Sequence, residues 1–329
     1  GIKQHRHRFI NFDVAAFTNL TPEHIEAHGG FENYKRAKGK LFEALAGMPH
    51  KTIGGKVVEK ISVVNTDNEH ADYFLAFPAD KTYGFSVQGK CSLPASGRHA
   101  CVSVSAMVVS SDGVQFDIEA VKFHMRLLGQ FNVENALCAA VTARGLGVDF
   151  SVAASSLAKI EEIPGRMKFI REGQKFTAII DFAHTPSSFE GVFAAVRQLK
   201  DPRGRIIAVF GSAGGGRDKW KRPELGKIAA HNADHIILTA DDPYEEDVEV
   251  ICSEIQKGID AEAFKGKVEV IAPRQQAIKA ALSMARWNDI VLLLGKGTEQ
   301  TLMIGNESVP WNEEGLVIEE IRNMLYDRR

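Results

Sequence analysis

The order of apolar and polar residues predicts two kinds of architecture, which meet near residue 165. Beyond that point, short apolar runs alternate with stretches that repeat apolar residues every three or four positions, so strands should alternate with helices. We predict strands over Phe176–Asp181, Arg205–Phe210, His235–Ala240, Val268–Ile271 and Ile290–Leu294, with helices over Ser187–Leu199, Pro223–Asn232, Val248–Lys257 and Arg274–Trp287. A hairpin over Thr301–Trp311 and an amphipathic helix over Gly315–Tyr326 follow. This order is typical of a doubly wound, mostly parallel sheet of Rossmann type.

The first half is richer in strands. We predict strands over Val14–Phe17, Val57–Val64, Tyr73–Phe77, Thr82–Val87, Ala100–Val109 and Val114–Val121, and helices over Leu127–Val148 and Ser151–Lys159. Thr21 is predicted to cap a helix with Pro22 at its first position. A second helical run has Tyr34, Ala37, Leu41 and Phe42 on its apolar side. The break at Pro164-Gly165 predicts domains 1–164 and 165–329.

Composition narrows the class of protein. The chain has 329 residues, 44% of them hydrophobic and 25% charged, which suits two soluble α/β domains with substantial cores. The net charge of −2 gives no indication of a nucleic-acid or membrane surface, and apolar runs such as Ile290–Leu294 are too short to span a bilayer. The first residues have no apolar core of a signal peptide. Four cysteines without CxxC spacing predict a reduced, cytoplasmic protein without disulfides.

The stretch from Phe12 to Phe42 carries the first candidate chemistry. His24 and His28 lie four residues apart, so they share one face of a helix. HExxH and a nearby cysteine are both missing, which argues against zinc. By themselves, these histidines could equally be capping or surface residues, and the lysines that follow could form a solvated face.

Two phrases in this stretch, TNLxxxHxxxHG and YxxAKxxLF, closely resemble the middle domain of the Mur ligase family, in its MurE type. The resemblance implies that His24 binds Mg²⁺ and that Lys38 is carbamylated, is catalytic and helps to hold a second Mg²⁺. A carbamate converts an amine into an oxygen ligand, which Mg²⁺ prefers. The amine must be neutral to react with CO₂, so its pKa must be lowered by burial or charge.

Further phrases resemble the family's ATP contacts. GQFNVENALCAA implies that Asn132 and Asn135 flank adenine, although an Asn at a helix start can be simply a cap. The PGR of Pro164-Gly165-Arg166 implies that Arg166 reaches the ATP phosphates as a second catalytic residue. DFAHTP, with Phe182 where the family has Tyr, implies that Asp181 binds the ribose hydroxyls and His184 faces the phosphates.

The remaining resemblances concern the substrates. Gln4 and Arg6 match residues that contact the UDP-sugar, the alternative being a frayed basic terminus. The glycine-rich Gly211–Pro223 does not match a dinucleotide fingerprint, but it resembles a family phrase whose Arg, here Arg222, holds the incoming amino acid. GKGTE implies the same role for Gly295 and Glu299, with Thr298 in place of His.

The loop Asp241-Asp242-Pro243-Tyr244 predicts which amino acid is added. Members that use meso-diaminopimelate have an Arg in the position of Tyr244, where it contacts the distal carboxylate. Tyr cannot make that charged contact, and the acidic loop should favour a cationic side chain. We predict L-lysine, or another diamino acid without a distal carboxylate, over meso-diaminopimelate. The alternative is that Tyr244 only packs and Lys219 or Lys221 takes the carboxylate.

Together these resemblances predict an incomplete Mur ligase central ATPase-type domain followed by a Rossmann-like domain. The implied activity is ATP-dependent addition of an amino acid to UDP-N-acetylmuramoyl-dipeptide in peptidoglycan synthesis, by a cytoplasmic monomer with no nucleic-acid or membrane partner. The family's phosphate loop, G-x-x-x-x-G-K-[ST], its Glu-x-Ser-Ser and its UDP-binding domain are missing from these 329 residues. We therefore expect a truncated chain, inactive alone. Two alternatives are a folylpolyglutamate or cyanophycin-type ligase, which the DFAHTP, GKGTE and QHR phrases oppose, and a non-catalytic nucleotide-binding remnant.

Overall fold

The computed structural model describes residues 2, 4–23, 25–93, 98–110 and 112–326. The chain divides into two compact units, residues 1–161 and 162–329, so the division falls three residues before the predicted boundary at 164. His24, the predicted Mg²⁺ ligand, lies outside the described residues.

The first unit is a mixed α/β unit. Its elements are β1 (Val14–Phe17), α1 (Ile25–His28), α2 (Phe31–Gly47), β2 (Thr52–Ile53), β3 (Lys56–Val57), β4 (Ile61–Asn65), α3 (Ala71–Leu75), β5 (Lys81–Ser86), β6 (His99–Ser110), β7 (Gly113–Ile118), β8 (Val121–Met125), α4 (Gln130–Gly145) and α5 (Phe150–Leu157). A six-stranded sheet has the order β1-β4-β5-β6-β7-β8, in which β1, β4, β5 and β6 are parallel and β6, β7 and β8 antiparallel. The strands β2 and β3 pair separately.

Both faces of this sheet are covered, which is why β4 is buried throughout. Val63 packs into a core with Leu137 and Val141 of α4, whereas its neighbour Val64 packs with Phe17 and Phe74 on the other face. Successive residues of a strand point to opposite faces, so a strand between two helical layers is apolar at nearly every position. The Phe17 and Phe74 rings stack with centroids 3.8 Å apart.

The second unit is the predicted doubly wound fold. Its elements are β9 (Lys168–Ile170), β10 (Thr177–Asp181), α6 (Pro186–Leu199), β11 (Ile206–Phe210), α7 (Lys221–Asn232), β12 (His235–Leu238), α8 (Val248–Ala261), β13 (Lys267–Val270), α9 (Arg274–Met284), β14 (Ile290–Leu294), β15 (Thr301–Ile304), β16 (Glu307–Pro310) and α10 (Glu313–Tyr326). The main sheet has the order β13-β12-β11-β14-β10-β9, with all strands parallel except β9. The carboxyl ends of β10, β14, β11 and β12 therefore lie along one edge, where ligands bind in such folds.

Helices α7 and α8 approach at two glycines. A side chain at Gly226 would collide with the carbonyl oxygen of Ile255, and one at Gly258 with that of Pro223. The two backbones touch because each helix lacks a Cβ where the other crosses it.

Several predicted elements were wrong in kind or extent. Tyr73–Phe77 was predicted as a strand, but α3 occupies Ala71–Leu75, because Phe74 and Phe77 then reach the same aromatic cluster around Phe42. The predicted strand Val114–Val121 is interrupted by a tight turn in which Glu119 has a φ of 53°, so β8 is a separate strand. Pro22 lies before α1 rather than inside it.

The expectation of a protein without disulfides was also wrong. Cys91 and Cys101 are joined, with Cα atoms 5.7 Å apart, while Cys138 and Cys252 are buried free thiols. Cys101 lies on β6 and Cys91 in the loop after β5, so the parallel pairing of these strands brings the two together. Among the described residues, no helix has both the length and the apolar content needed to cross a membrane.

Candidate active site

The carboxyl edge of the second sheet brings three predicted site residues together. Asp181 ends β10, Asp241 follows β12 and Gly295 follows β14. The Gly295 N–H donates to the Asp181 carbonyl oxygen over 3.1 Å. Gly295 has a φ of 111°, and a side chain there would collide with the Asp241 carboxylate, so glycine is required for this close approach.

An acidic cluster with an internal cation lies beside Gly295. Asp241, Asp242 and Glu299 each place a carboxylate oxygen within 4.8 Å of the others. The fully buried Lys296 ammonium donates to Asp242 over 2.8 Å and pairs with Glu299 at 2.7 Å. Burial raises the pKa of Asp241, opposed first by Arg274 and then by Lys296. Lys296 thus supplies an internal positive charge that partly compensates the three carboxylates of this cluster.

Arg222 lies behind this edge, at the start of α7. Its guanidinium is fully buried, with Nη1 donating to Glu254 over 2.7 Å and to Glu246 over 3.1 Å, and Nη2 donating to the Ala213 carbonyl oxygen over 3.2 Å. Its Nε is buried with no partner among the described residues. A direct contact between Arg222 and an amino acid therefore requires either Nε or the release of one glutamate, and this role stays a proposal.

Tyr244 borders an open cleft of about 520 Å³. A positive φ of 53° turns its backbone, and its N–H donates to the carbonyl oxygen of Met303 over 3.3 Å. Its ring packs over Gly215, where a side chain would collide with it. Polar and charged side chains make up most of the remaining lining, which comprises Gly215, Gly216, Lys219, Glu245, Glu246 and Asn306.

The predicted phosphate-facing residues Arg166 and His184 both contact the ring of Phe182, in the loop after β10. Arg166 is exposed, and its guanidinium carbon lies 4.7 Å from the centroid of the Phe182 ring. Gly165 lies so close to Thr298 that any side chain would collide with the Thr298 nitrogen, and its carbonyl oxygen accepts from the Phe182 N–H. The PGR, DFAHTP and GKGTE phrases therefore come together in one cluster.

Asp181 and His184 are both fixed by backbone. One Asp181 oxygen accepts from the Met167 N–H and the other from the Ala183 N–H, each over 2.7 Å. Burial raises the pKa of Asp181, opposed by these two hydrogen bonds. His184 Nδ1 lies 2.8 Å from the Phe182 carbonyl oxygen, a contact that helps to fix the orientation of the imidazole ring.

In the first unit, the predicted adenine residues lie at the amino end of α4. Asn132 is buried, and its Nδ2 donates to the Leu128 carbonyl oxygen over 2.7 Å, whereas Asn135 is exposed. The helix begins after Gly129 without a side-chain cap, so neither residue is its N-cap. Between them, Glu134 has its pKa raised by burial, to which the charge of Asp67 adds.

Lys38 is half-buried on α2. Its ammonium nitrogen lies 4.9 Å from the centroid of the Tyr34 ring. Burial lowers the pKa of Lys38, opposed by the charge of Glu23. A desolvated amine with a lowered pKa fits the requirement for carbamylation, and a carbamate here would offer oxygens to Mg²⁺. Gln4 and Arg6, the predicted UDP-sugar contacts, are exposed.

Sequence reasoning missed the roles of two polar residues, the fully buried Lys296 and the half-buried Asp67. Lys296 was read only as part of a glycine-rich phrase, although its charge controls the acidic cluster. The sequence around Asp67 resembles a family phrase and also fits a plain turn after a strand. In the structure its carboxylate accepts from the backbone N–H of Val87 and Gln88 and from the Ser86 hydroxyl. The available signal was a carboxylate two residues after the buried strand β4, because loops at strand ends often carry functional residues.

Comparisons with known proteins agree with this layout. Residues 1–143 match the Mur ligase middle domain and residues 165–297 match the Mur ligase, glutamate ligase domain. A UDP-N-acetylmuramyl-tripeptide synthetase of Roseiflexus sp. (strain RS-1) is 41% identical over 92% of this chain and 58% of its own length. A UDP-N-acetylmuramoyl-L-alanyl-D-glutamate–2,6-diaminopimelate ligase of Geobacillus kaustophilus is 34% identical over 96% of this chain and 62% of its own.

A solved structure of such a diaminopimelate ligase superimposes with a TM-score of 0.57 and 28% identity, covering 99% of this chain and 63% of that one. The chain thus spans about three fifths of the length of the relatives that it matches.

Proposed function

The chain belongs to the Mur ligase family through its middle and C-terminal domains, and from this premise we propose that it is part of an ATP-dependent ligase of peptidoglycan synthesis. The proposed substrates are ATP, UDP-N-acetylmuramoyl-dipeptide and a free amino acid. The carboxylate of the dipeptide attacks the γ-phosphorus of ATP and ADP leaves, which gives an acyl phosphate. The α-amine of the amino acid then attacks the acyl carbon, and phosphate and a proton leave as the amide forms.

The observation that carries this proposal is the half-buried Lys38 with its lowered pKa, in the phrase that resembles the family's carbamylated lysine. Mg²⁺, when bound, would neutralise charge on the transferring phosphoryl group. Arg166 is exposed in the cluster formed by the PGR, DFAHTP and GKGTE phrases, where its charge can favour the same anionic group. His184 and Asp181 are the proposed contacts for phosphate and ribose, Asn132 and Asn135 for adenine, and Gln4 and Arg6 for the UDP-sugar. The proposed location of this ligase is the cytoplasm, and its proposed oligomeric state is a monomer.

Phosphate release from ATP tests the activity. The full-length gene product should release phosphate only when UDP-N-acetylmuramoyl-dipeptide and an amino acid are both present, and mass spectrometry should show the tripeptide product. Release that depends on folate and glutamate instead would favour the folylpolyglutamate alternative. If the protein binds ATP but releases phosphate with neither set of substrates, the alternative of a non-catalytic nucleotide-binding remnant is favoured.

We also propose that the 329 residues alone do not ligate. No G-x-x-x-x-G-K-[ST] occurs among them, and the backbone amides of such a loop supply many of the contacts to ATP phosphates. The purified chain should therefore bind ATP weakly and show no turnover. Turnover comparable to that of the full-length product would overturn this part of the proposal alone.

For the amino acid, we propose L-lysine or another diamino acid without a distal carboxylate. The support is the acidic cleft beside Tyr244, in which Glu245 accepts from Asn306 over 2.9 Å and Glu246 is shared between Arg222 and Lys219. An ammonium group gains from these carboxylates, whereas a second carboxylate would be repelled. The name of the Roseiflexus relative does not say which amino acid is added, and the name of the Geobacillus relative specifies 2,6-diaminopimelate, so the proposal of L-lysine rests on the cleft and not on these names.

A competition assay tests this preference. The full-length product should incorporate L-lysine in preference to meso-diaminopimelate at equal concentrations, and Tyr244→Arg should move the preference toward diaminopimelate by about tenfold. Tyr244→Phe is the matched control, because it keeps the ring over Gly215 and adds no charge. Preferential incorporation of diaminopimelate by the unaltered protein would show that Tyr244 only packs, with Lys219 or Lys221 in reach of the carboxylate.

A further inference from the structure

Arg274, the first residue of α9, links two loops of the candidate active site. Its Nη1 donates to the Ala240 carbonyl oxygen over 3.3 Å and its Nη2 to the Leu294 carbonyl oxygen over 2.9 Å. Ala240 immediately precedes Asp241, and Leu294 immediately precedes Gly295. The strands that lead to these residues are not neighbours, because β11 lies between β12 and β14. The Arg274 guanidinium therefore connects the loops after β12 and β14 across the carboxyl end of β11.

A buried carboxylate holds Arg274 in place. Glu313, at the start of α10, accepts from Nε over 2.7 Å and from Nη2 over 2.8 Å, and it also accepts from the Trp311 indole over 3.0 Å. Both charged side chains are fully buried. The planar fork of an Arg can satisfy a carboxylate and two carbonyl groups at once, which a Lys cannot do.

We propose that Arg274 is a positioning residue for the amino-acid site: it fixes the distance between the Asp241–Asp242 loop and the Gly295–Glu299 loop. This inference rests on the proposed function. Asp241 and Gly295 approach each other so closely that a side chain at Gly295 would collide with the carboxylate, so the site depends on an exact spacing of the two loops. Binding groups that are displaced by about 1 Å can lose a large part of their effect.

The charge of Arg274 acts on the same site. The cations that face the buried Asp241 carboxylate are Arg274 from α9 and Lys296 from the loop after β14, while Asp242 and Glu299 are the facing anions. The His184 imidazole faces the same carboxylate from the loop after β10. Arg274 is the largest of the influences that lower the pKa of Asp241 against the effect of burial. It therefore helps to keep Asp241 in the charged form that an amine substrate would bind.

The same sheet provides a matched control at its opposite edge. Arg205 precedes β11, and its Nη2 donates to Asp289, which precedes β14, over 2.6 Å and to the Met284 carbonyl oxygen over 3.0 Å. Arg205 and Asp289 thus form a second Arg–carboxylate pair that joins the starts of two strands, and Arg205 also holds a carbonyl group at the end of α9. It lies at the amino ends of the strands, away from Asp241 and Gly295.

The test compares Arg274→Lys with Arg205→Lys in the full-length product. Arg274→Lys should raise the KM for L-lysine about tenfold, leave the KM for ATP nearly unchanged and speed amide hydrogen exchange in residues 240–242 and 294–297. Arg205→Lys should lower the melting temperature by about as much as Arg274→Lys does, but it should change neither the KM for L-lysine nor the amide hydrogen exchange of residues 240–242 and 294–297. If Arg274→Lys does not fold, Glu313→Gln replaces it, because that variant keeps Arg274 and weakens only its anchor.

Equal exchange in the two variants at residues 240–242 and 294–297 would overturn the positioning role. So would a KM for L-lysine that does not change in Arg274→Lys. If the unaltered protein ligates no amino acid at all, the proposed function fails, and the exchange comparison alone then decides whether Arg274 positions the two loops.

Discussion

The ammonium nitrogen of Lys38 lies 4.9 Å from the centroid of the Tyr34 ring, one helical turn earlier on α2. Burial lowers the pKa of this lysine more than the negative charge of Glu23 raises it. A larger fraction of the amine is therefore neutral near pH 7 than for an exposed lysine, which favours reaction with CO₂.

The first prediction is that Lys38 is required as a carbamate. In the full-length product, Lys38→Ala and Lys38→Arg should both abolish ligation, since Arg keeps the charge but cannot be carbamylated. Short carboxylic acids should partly restore Lys38→Ala only. The exposed Lys40→Ala is the control and should change little. Full activity of Lys38→Ala without any added acid would rule the carbamate out.

The second prediction concerns adenine. Asn135→Ala should raise the KM for ATP by an amount equivalent to about 1–3 kcal/mol, because a hydrogen bond to the base is lost from an exposed side chain. Asn132→Ala should raise the same KM and also lower stability, because the Asn132 amide holds the Leu128 carbonyl group. An unchanged KM in both variants would mean that these residues serve only the structure of α4.

The third prediction is a pH dependence of stability through Asp289. Burial raises the pKa of Asp289, but hydrogen bonds from Arg205 and from the Arg286 N–H outweigh that effect and hold the pKa below its usual value. A lowered folded-state pKa gives stability that is present above the unfolded pKa of about 3.9 and is lost as the pH falls through the folded value.

Asp289→Asn should therefore cost about 1.5–3 kcal/mol of unfolding free energy at pH 7. The difference in unfolding free energy between Asp289→Asn and the unaltered protein should become smaller as the pH falls below 4. Denaturant unfolding at pH 7 and at acid pH measures it, with the exposed Glu190→Gln as a control that should show little difference. A difference that stays constant with pH would contradict the ionic origin.

The fourth prediction concerns the disulfide. The Cys91–Cys101 bond has a sequence separation of 10. A disulfide that closes a loop of this size reduces the entropy of the unfolded chain and so adds about 2–3 kcal/mol to the free energy of unfolding. Reduction should lower the melting temperature, and the Cys91→Ser, Cys101→Ser double variant should lose that response to reductant. The buried Cys138 is the control thiol, since Cys138→Ala should leave the response intact.

The sequence predicted the second unit well because its central strands β11, β12 and β14 are buried on both sides. Runs such as Ile290–Leu294 are apolar at every position, and the helices between them repeat with the right period, so two independent signals agree. The short antiparallel β9 was missed because three residues carry no periodicity.

In the first unit, local pattern and tertiary packing disagree. Tyr73 to Phe77 is a short apolar stretch that fits a strand or a helix equally, and only the position of the Phe17 and Phe42 rings decides for α3. Candidate site residues could be named from phrases, but the engagement of Arg222 with Glu246 and Glu254 could not. Those partners lie 24 and 32 residues further along the chain, and no local sequence pattern predicts such distant contacts.

The glycine contacts between α7 and α8 also restrict which segments of this unit can be exchanged with those of a related protein by recombination. Gly226 on α7 and Gly258 on α8 let the two backbones touch, and the same pair of helices carries Arg222 and Glu254. Transferring one of these helices alone from a relative with a larger residue at either position would push the helices apart and unpair a buried charge. Recombination should therefore preserve α7 and α8 as a single block, and viable chimeras should place their crossover points outside residues 221–261.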